Sequence, residues 1–164
     1  MKVLVIPEDP MLDQYILKPV VERLFADLGL AARIDVLWNP RLRSVNQALD
    51  VSMVRHVVGT YSMIDLFLVM VDRDADEHRA ERARMRETEH PGRLLACLAV
   101  EEVEVWMLAL HRDRLSPPWA EIRSERDPKE RFAHPFLAAH APKLDAGQGR
   151  KWAMRDLGAR WKGL

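Results

Sequence analysis

An α/β fold with a mostly parallel sheet of about four strands is predicted by two features of this 164-residue sequence. Short, nearly uninterrupted apolar runs alternate with longer segments whose apolar residues recur at helical spacing. The runs are too continuous for strands with one wet face, so helices are expected on both sides of the sheet.

Val3 to Ile6 is the first run, β-branched and bounded by Pro7 and Pro10, and reads as a short buried strand. Leu12, Ile16, Leu17, Val20, Val21, Leu24, Phe25 and Leu28 then mark an amphipathic helix, with Gly29 as its C-terminal cap and Pro19 expected to kink or delay it. Arg33 to Trp38 alternates as a second strand, and Val45 to Val58 carries a weaker helical pattern capped at Ser44. Ile64 to Val71 is a third, strongly apolar strand. A very polar helix is expected from about Glu77 to Glu89, and Arg93 to Val100 forms a fourth strand. Val103, Trp106, Met107 and Leu110 fall at i, i+3, i+4 and i+7 of a further helix. Beyond residue 112 the chain is rich in proline and charge, so residues 113–164 are expected to form short helices that wrap the same domain.

Composition narrows the function. Lys plus Arg equals Asp plus Glu at 25 each, so no global field points to a polyanion or a membrane, and any charged site must be local. The single cysteine, Cys97, excludes an intrachain disulfide framework; it lies in an apolar run and reads as core. No apolar stretch is long enough to span a bilayer or form a secretory signal, so a cytoplasmic protein is expected.

Acidic residues gather where the strands end. Glu8 and Asp9 follow the first strand, Asp72, Asp74 and Asp76 the third, and Glu101, Glu102 and Glu104 the fourth. In an open parallel sheet these ends share one edge, the usual place of ligand binding. Carboxylates brought together there repel unless a cation neutralises them. Oxygen ligands without His or Cys at zinc spacing favour Mg²⁺ or Mn²⁺. An EF-hand loop would need glycine at its sixth position and glutamate at its twelfth, where this sequence has Glu77 and Ala83. Asp76 and Glu77 suit the start of the polar helix instead. A phosphoacceptor receiver domain would further require Ser or Thr after strand four and Lys after a fifth strand. Glu101 and Glu102 stand in the first place, and no fifth strand is legible.

The order of these acids resembles a Toprim domain, the three-layer, Rossmann-like metal-binding fold of topoisomerases, primases and OLD-family nucleases. "VLVIPED" presents Glu8 after the first strand and "VMVDRD" presents Asp72 and Asp74 after the third. "EVEVW", Glu102 to Trp106, is similar to the Glu-Ile-Glu-Ala-Trp signature of a bacterial Toprim-like family of about this size. The likeness covers roughly residues 1–112, with Asp9 where the family usually has glycine. It implies chemistry on nucleic-acid phosphodiesters, most simply a nuclease: Asp72 and Asp74 hold Mg²⁺, Glu8 acts as a catalytic acid or base with Asp72 or as a further ligand, and Glu102 and Glu104 complete a second metal position. A noncatalytic metal-binding module working with a partner such as an ATPase is the alternative.

Two basic features bear on nucleic acid. Arg79 heads a run of arginines on the polar helix, interleaved with Glu81, Glu87 and Glu89. From Lys143 to Leu164 six Lys or Arg face two Asp, with Trp152 and Trp161 interleaved, making Arg150, Lys151 and Arg155 candidate contacts. A tryptophan-anchored docking segment explains the same residues. "GQGRK", Gly147 to Lys151, lacks the spacing and Lys-Ser/Thr end of a phosphate loop.

Overall fold

The computed structural model describes residues 1–74 and 76–161. Four parallel strands, β1 (Lys2–Pro7), β2 (Arg33–Val36), β3 (Leu66–Asp72) and β4 (Leu94–Ala99), form one sheet in the order β2-β1-β3-β4. Val5 pairs with Val36 on one side and Leu68 on the other, and Asp72 pairs with Ala99. The sheet is sandwiched between two apolar layers, as a three-layer, Rossmann-like arrangement requires. Val3, Val5, Leu68 and Met70 face one layer; Leu4, Ile6, Phe67 and Val69 face the other.

The first layer is built on α1 (Gln14–Asp27), which runs through Pro19 without ending there. Gly29, at φ +68°, closes it: its N–H donates to Ala26 O and the Leu30 N–H to Phe25 O, so two terminal carbonyls are satisfied. Further along the chain α5 (Glu104–Ala109) joins this layer, followed by α6 (Trp119–Ser124), a π-helical turn (Lys129–Ala133), α7 (His134–His140), α8 (Arg150–Ala153) and α9 (Leu157–Arg160). Ile122, Phe136, Leu137, Met154 and Leu157 lie in the same apolar cluster as Val3 and Val5, so the sheet and the later helices share one core.

The opposite layer holds α2 (Val45–Ala48), α3 (Val51–Thr60) and α4 (Glu77–Glu89). The helix expected over Val45 to Val58 is broken in two. Asp50 supplies the reason: its carboxylate accepts the Met53 N–H at 2.8 Å and starts a new helix there. Ser44 and Asp76 cap α2 and α4 by the same device.

Strand β4 is one edge of the sheet, and Cys97 on it is exposed rather than in the core. The apolar run was misleading because the last strand of a sheet is covered less completely than its neighbours. Glu87 of α4 blunts this edge by accepting the Ala96 N–H at 2.7 Å, a donor otherwise free to recruit another strand.

The glycines of "GQGRK" serve packing. Gly147 (φ +63°) lies so near Tyr15 that an added Cβ would stand 2.3 Å from its ring, and one at Gly149 (φ +93°) would stand 2.5 Å from the Ala141 Cβ. They let the chain before α8 close against α1 and α7.

Candidate metal centre

Parallel topology carries every strand end to one edge, and the acids predicted there meet. Asp72, Asp74 and Glu102 each present a carboxylate oxygen within 4.8 Å of the other two, and among the described residues no other group of metal-ligating side chains gathers in this way. Each is aimed by its own backbone setting. Asp72 ends β3, and its Oδ1 accepts the Val103 N–H at the head of α5 at 2.8 Å. Asp74 sits at φ +45° and Glu101 at φ +64°, two non-glycine residues in the left-handed region at adjoining strand ends. The Arg73 and Asp74 N–H groups donate to Glu101 O at 3.0 and 3.3 Å, which ties the two turns together. Backbone strain of this kind costs about 1 to 3 kcal/mol per residue and persists where the surroundings enforce it, often at functional sites. Glu102 is fixed by the Lys129 N–H, which donates to its Oε2 at 2.6 Å.

Glu8 stands beside this trio and not within it. The Val45 N–H at the start of α2 is near enough to favour its charged form, while its Oε2 is buried without a hydrogen-bond partner. Burial, then the nearby Asp74 charge, pushes its pKa up, against the opposing pull of Arg79 and Lys129.

Glu104 is placed differently from the expectation of a second metal position. It is fully buried, and its Oε1 accepts from Arg150 Nη2 at 2.6 Å and Nε at 3.3 Å, with Lys129 Nζ 3.8 Å away. One oxygen is thus committed to an internal ion pair, while Oε2 has no hydrogen-bond partner. The same pair corrects the reading of Arg150 as a nucleic-acid contact: its side chain is wholly enclosed, so no polyanion reaches it. Arg79 is also spoken for. Its guanidinium donates to Asp72 O at 2.9 Å and Asp74 Oδ2 at 2.6 Å and lies 3.7 Å from Asp76, so it balances the acids. Lys151 is exposed, and Arg155 is exposed with Asp145 4.0 Å away. Trp152 is stacked on His111 at 5.8 Å and Trp161 donates its indole N–H to Asp27, so both anchor the final helices to the core. Lys162 lies outside the described residues.

Two contributors escaped the sequence reading. Asp13, immediately before α1, is 7% exposed, and its Oδ2 accepts the Asp9 N–H at 2.9 Å. Its only signal was an acid one helical turn beyond Asp9, masked by assigning the helix to begin at Leu12. Lys129 comes from the proline-rich segment, where nothing in the local pattern marks it.

The electrostatics of the centre are those of too many carboxylates out of water. Burial raises Asp72 to about 8, with Glu104, Asp13 and Glu8 adding to the rise against the Val103 hydrogen bond. Asp13 is raised to about 7 by burial first, and Glu104 adds to it. Glu102 reaches about 7, again chiefly through burial. Lys129 responds in the complementary sense: burial opposes its charge, but Glu104, Glu102 and Asp13 together hold it above its ordinary value. Six acids, Glu8, Asp13, Asp72, Asp74, Glu102 and Glu104, are met by Arg79, Lys129 and Arg150.

No family model, curated protein or solved structure matches the chain.

A hard divalent cation suits this donor set. The candidate donors are all carboxylates, the buried Oε2 of Glu8 and of Glu104 lack hydrogen-bond partners, and such an ion would supply the positive charge that these acids lack. Asp72, Asp74 and Glu102 are the residues that would hold it.

Proposed function

We propose that this chain is a Mg²⁺- or Mn²⁺-dependent protein acting on nucleic-acid phosphodiesters, most simply as a nuclease. The observation that carries the reading is the convergence of Asp72, Asp74 and Glu102 to within 4.8 Å at the carboxyl edge of the sheet, with Glu8 alongside. The Toprim-like order of the same residues supplies the substrate class. A divalent ion at the trio supplies neutralisation of phosphate charge and a more acidic water. Glu8 holds or releases a proton at its carboxyl, and its partial burial favours the protonated form nearer neutrality than an ordinary glutamate. Lys129 fixes Glu102 through its backbone and offsets Glu104 through its ammonium. Arg79 keeps Asp74 and the end of β3 in place.

A second reading has its own support: a noncatalytic, metal-holding module that works with a partner such as an ATPase. Arg79 and Arg150 already neutralise Asp74 and Glu104, and Asp9 takes the place of the Toprim glycine, its side chain accepting the Met11 N–H at 2.8 Å. A cleavage assay on single- and double-stranded DNA and RNA, with and without Mg²⁺ or Mn²⁺, separates the two. The nuclease reading predicts metal-dependent cleavage that falls at least about a hundredfold in Asp72→Asn, the range seen when a group stabilising transition-state charge is removed. Metal binding without cleavage of any of these substrates assigns the chain to the second reading.

A further inference from the structure

The centre needs a surface that presents a phosphodiester to it, and the arginines first considered for that role are largely committed elsewhere. We propose that the loop from Trp38 to Ser44 is a single-stranded nucleic-acid platform, in which Trp38 stacks on a base while Arg41 and Arg43 take the flanking phosphates. The inference deepens the phosphodiester reading and rests on it.

Trp38 is 52% exposed, whereas Trp106, Trp119, Trp152 and Trp161 all pack against the core. A large aromatic ring left in water is a cost the fold has not relieved, and its position is specific. Val36 pairs with Val5, and the Leu37 N–H donates to Val5 O at 2.8 Å. Trp38 follows β2 by two residues and so leaves the sheet at its carboxyl end, the end at which Glu8 follows β1. The loop then returns toward the centre, because the Val45 N–H just beyond its far end is near enough to the Glu8 carboxyl to favour its charged form. The loop thus starts at the sheet edge that carries Glu8 and ends near its carboxyl.

The loop is held from within. Leu42 is buried in the core, and the Tyr61 hydroxyl donates to Asn39 O. Arg41 and Arg43 flank that anchor and are exposed, and among the described residues neither guanidinium makes an ion pair or hydrogen bond. The segment "WNPRLRS" contains two arginines and no acid. A flat aromatic surface with uncommitted guanidiniums at either side of a buried leucine is complementary to an unstacked base and its phosphates. Duplex bases are already stacked, so this geometry selects single strands.

Fluorescence anisotropy of a labelled oligothymidylate, with the full chain in EDTA, tests the platform without requiring metal or cleavage. Trp38→Ala is expected to weaken binding about tenfold, while Trp38→Phe stays within about twofold of wild type, because either ring stacks. Oligothymidylate should also quench tryptophan emission in the wild type, and the quench should be lost in Trp38→Phe although binding persists. Replacing Arg41 and Arg43 with serine should lower the salt dependence by about 1.4 in the log-log slope, the value for two phosphate contacts on a single strand. Equal binding by wild type and Trp38→Ala, or an equal loss on oligothymidylate and on duplex, overturns the platform and leaves Trp38 to another partner such as a protein. A wild-type chain that binds Mn²⁺ but no oligonucleotide overturns the platform alone. One that binds the oligonucleotide through Trp38 but no metal sustains the platform and removes the phosphodiester chemistry.

Discussion

With divalent ions removed, the chain loses stability as the pH rises from about 4 to about 8, and Mg²⁺ restores much of the loss at the upper end. The sign follows from which state holds more protons. Asp72, Asp13 and Glu102 titrate at about 8, 7 and 7 in the folded chain, against ordinary values of 3.8, 3.8 and 4.5. Between the ordinary and the raised values the folded chain keeps protons that the unfolded chain has released, so folding weakens with increasing pH throughout that window. The stabilisation is fully present below about pH 4 and exhausted above about pH 8. Each pKa unit corresponds to about 1.4 kcal/mol, and because the three groups are coupled the combined loss is on the order of a few kcal/mol. A bound cation prefers the ionised carboxylates, so its affinity rises over the same window and binding releases protons. Urea midpoints across this range, with EDTA and with excess Mg²⁺, read both effects. Asp72→Asn should flatten the EDTA profile and lose most of the Mg²⁺ rescue. An EDTA profile that rises with pH would contradict the burial of these acids.

The second large effect lies at Arg150. It donates to Glu104 at 2.6 Å from a fully enclosed position and also reaches Gly147 O at 3.2 Å, which joins α8 to the acidic edge of the sheet. Truncation to alanine deletes a large buried side chain and leaves the enclosed Glu104 without its guanidinium partner, a combination costing about 3 to 5 kcal/mol. Glu104→Gln alone strands the guanidinium and should cost a similar amount. The double variant Glu104→Leu with Arg150→Met removes both charges at comparable volume and should recover most of the loss, as buried ion pairs often permit. Denaturant unfolding compares the three variants, and the single variants Glu104→Leu and Arg150→Met complete the cycle that gives the coupling energy.

The pairing of Arg150 with Glu104 also marks the limit of what the sequence discloses. Strand identities and the gathering of acids at one edge were legible, because period and run length reflect burial on each face of a sheet and parallel topology forces the strand ends together. Glu8, Asp72, Asp74 and Glu102 could be singled out for that reason. Which acids remain open to a ligand could not. Glu104 and Arg150 are 46 positions apart and lie in segments of different texture, so their contact exists only once the later helices fold onto α5. Lys129 enters by the same route, and Asp13 was concealed by a helix boundary misplaced by two residues. The division of Val45 to Val58 into two helices turned on a single side chain, Asp50, competing for the backbone. Trp38 looked like the end of a strand, and only its exposure distinguishes it from the other tryptophans.

The central claim is that Asp72, Asp74 and Glu102 form a divalent-cation site. Calorimetric titration of the chain with Mn²⁺ near pH 8, in two buffers of different ionisation enthalpy, tests it most directly. The account predicts saturable binding with proton release, competed by Mg²⁺ and abolished in Asp72→Asn while that variant stays folded. Absence of binding, or binding that survives unchanged in Asp72→Asn, would contradict it.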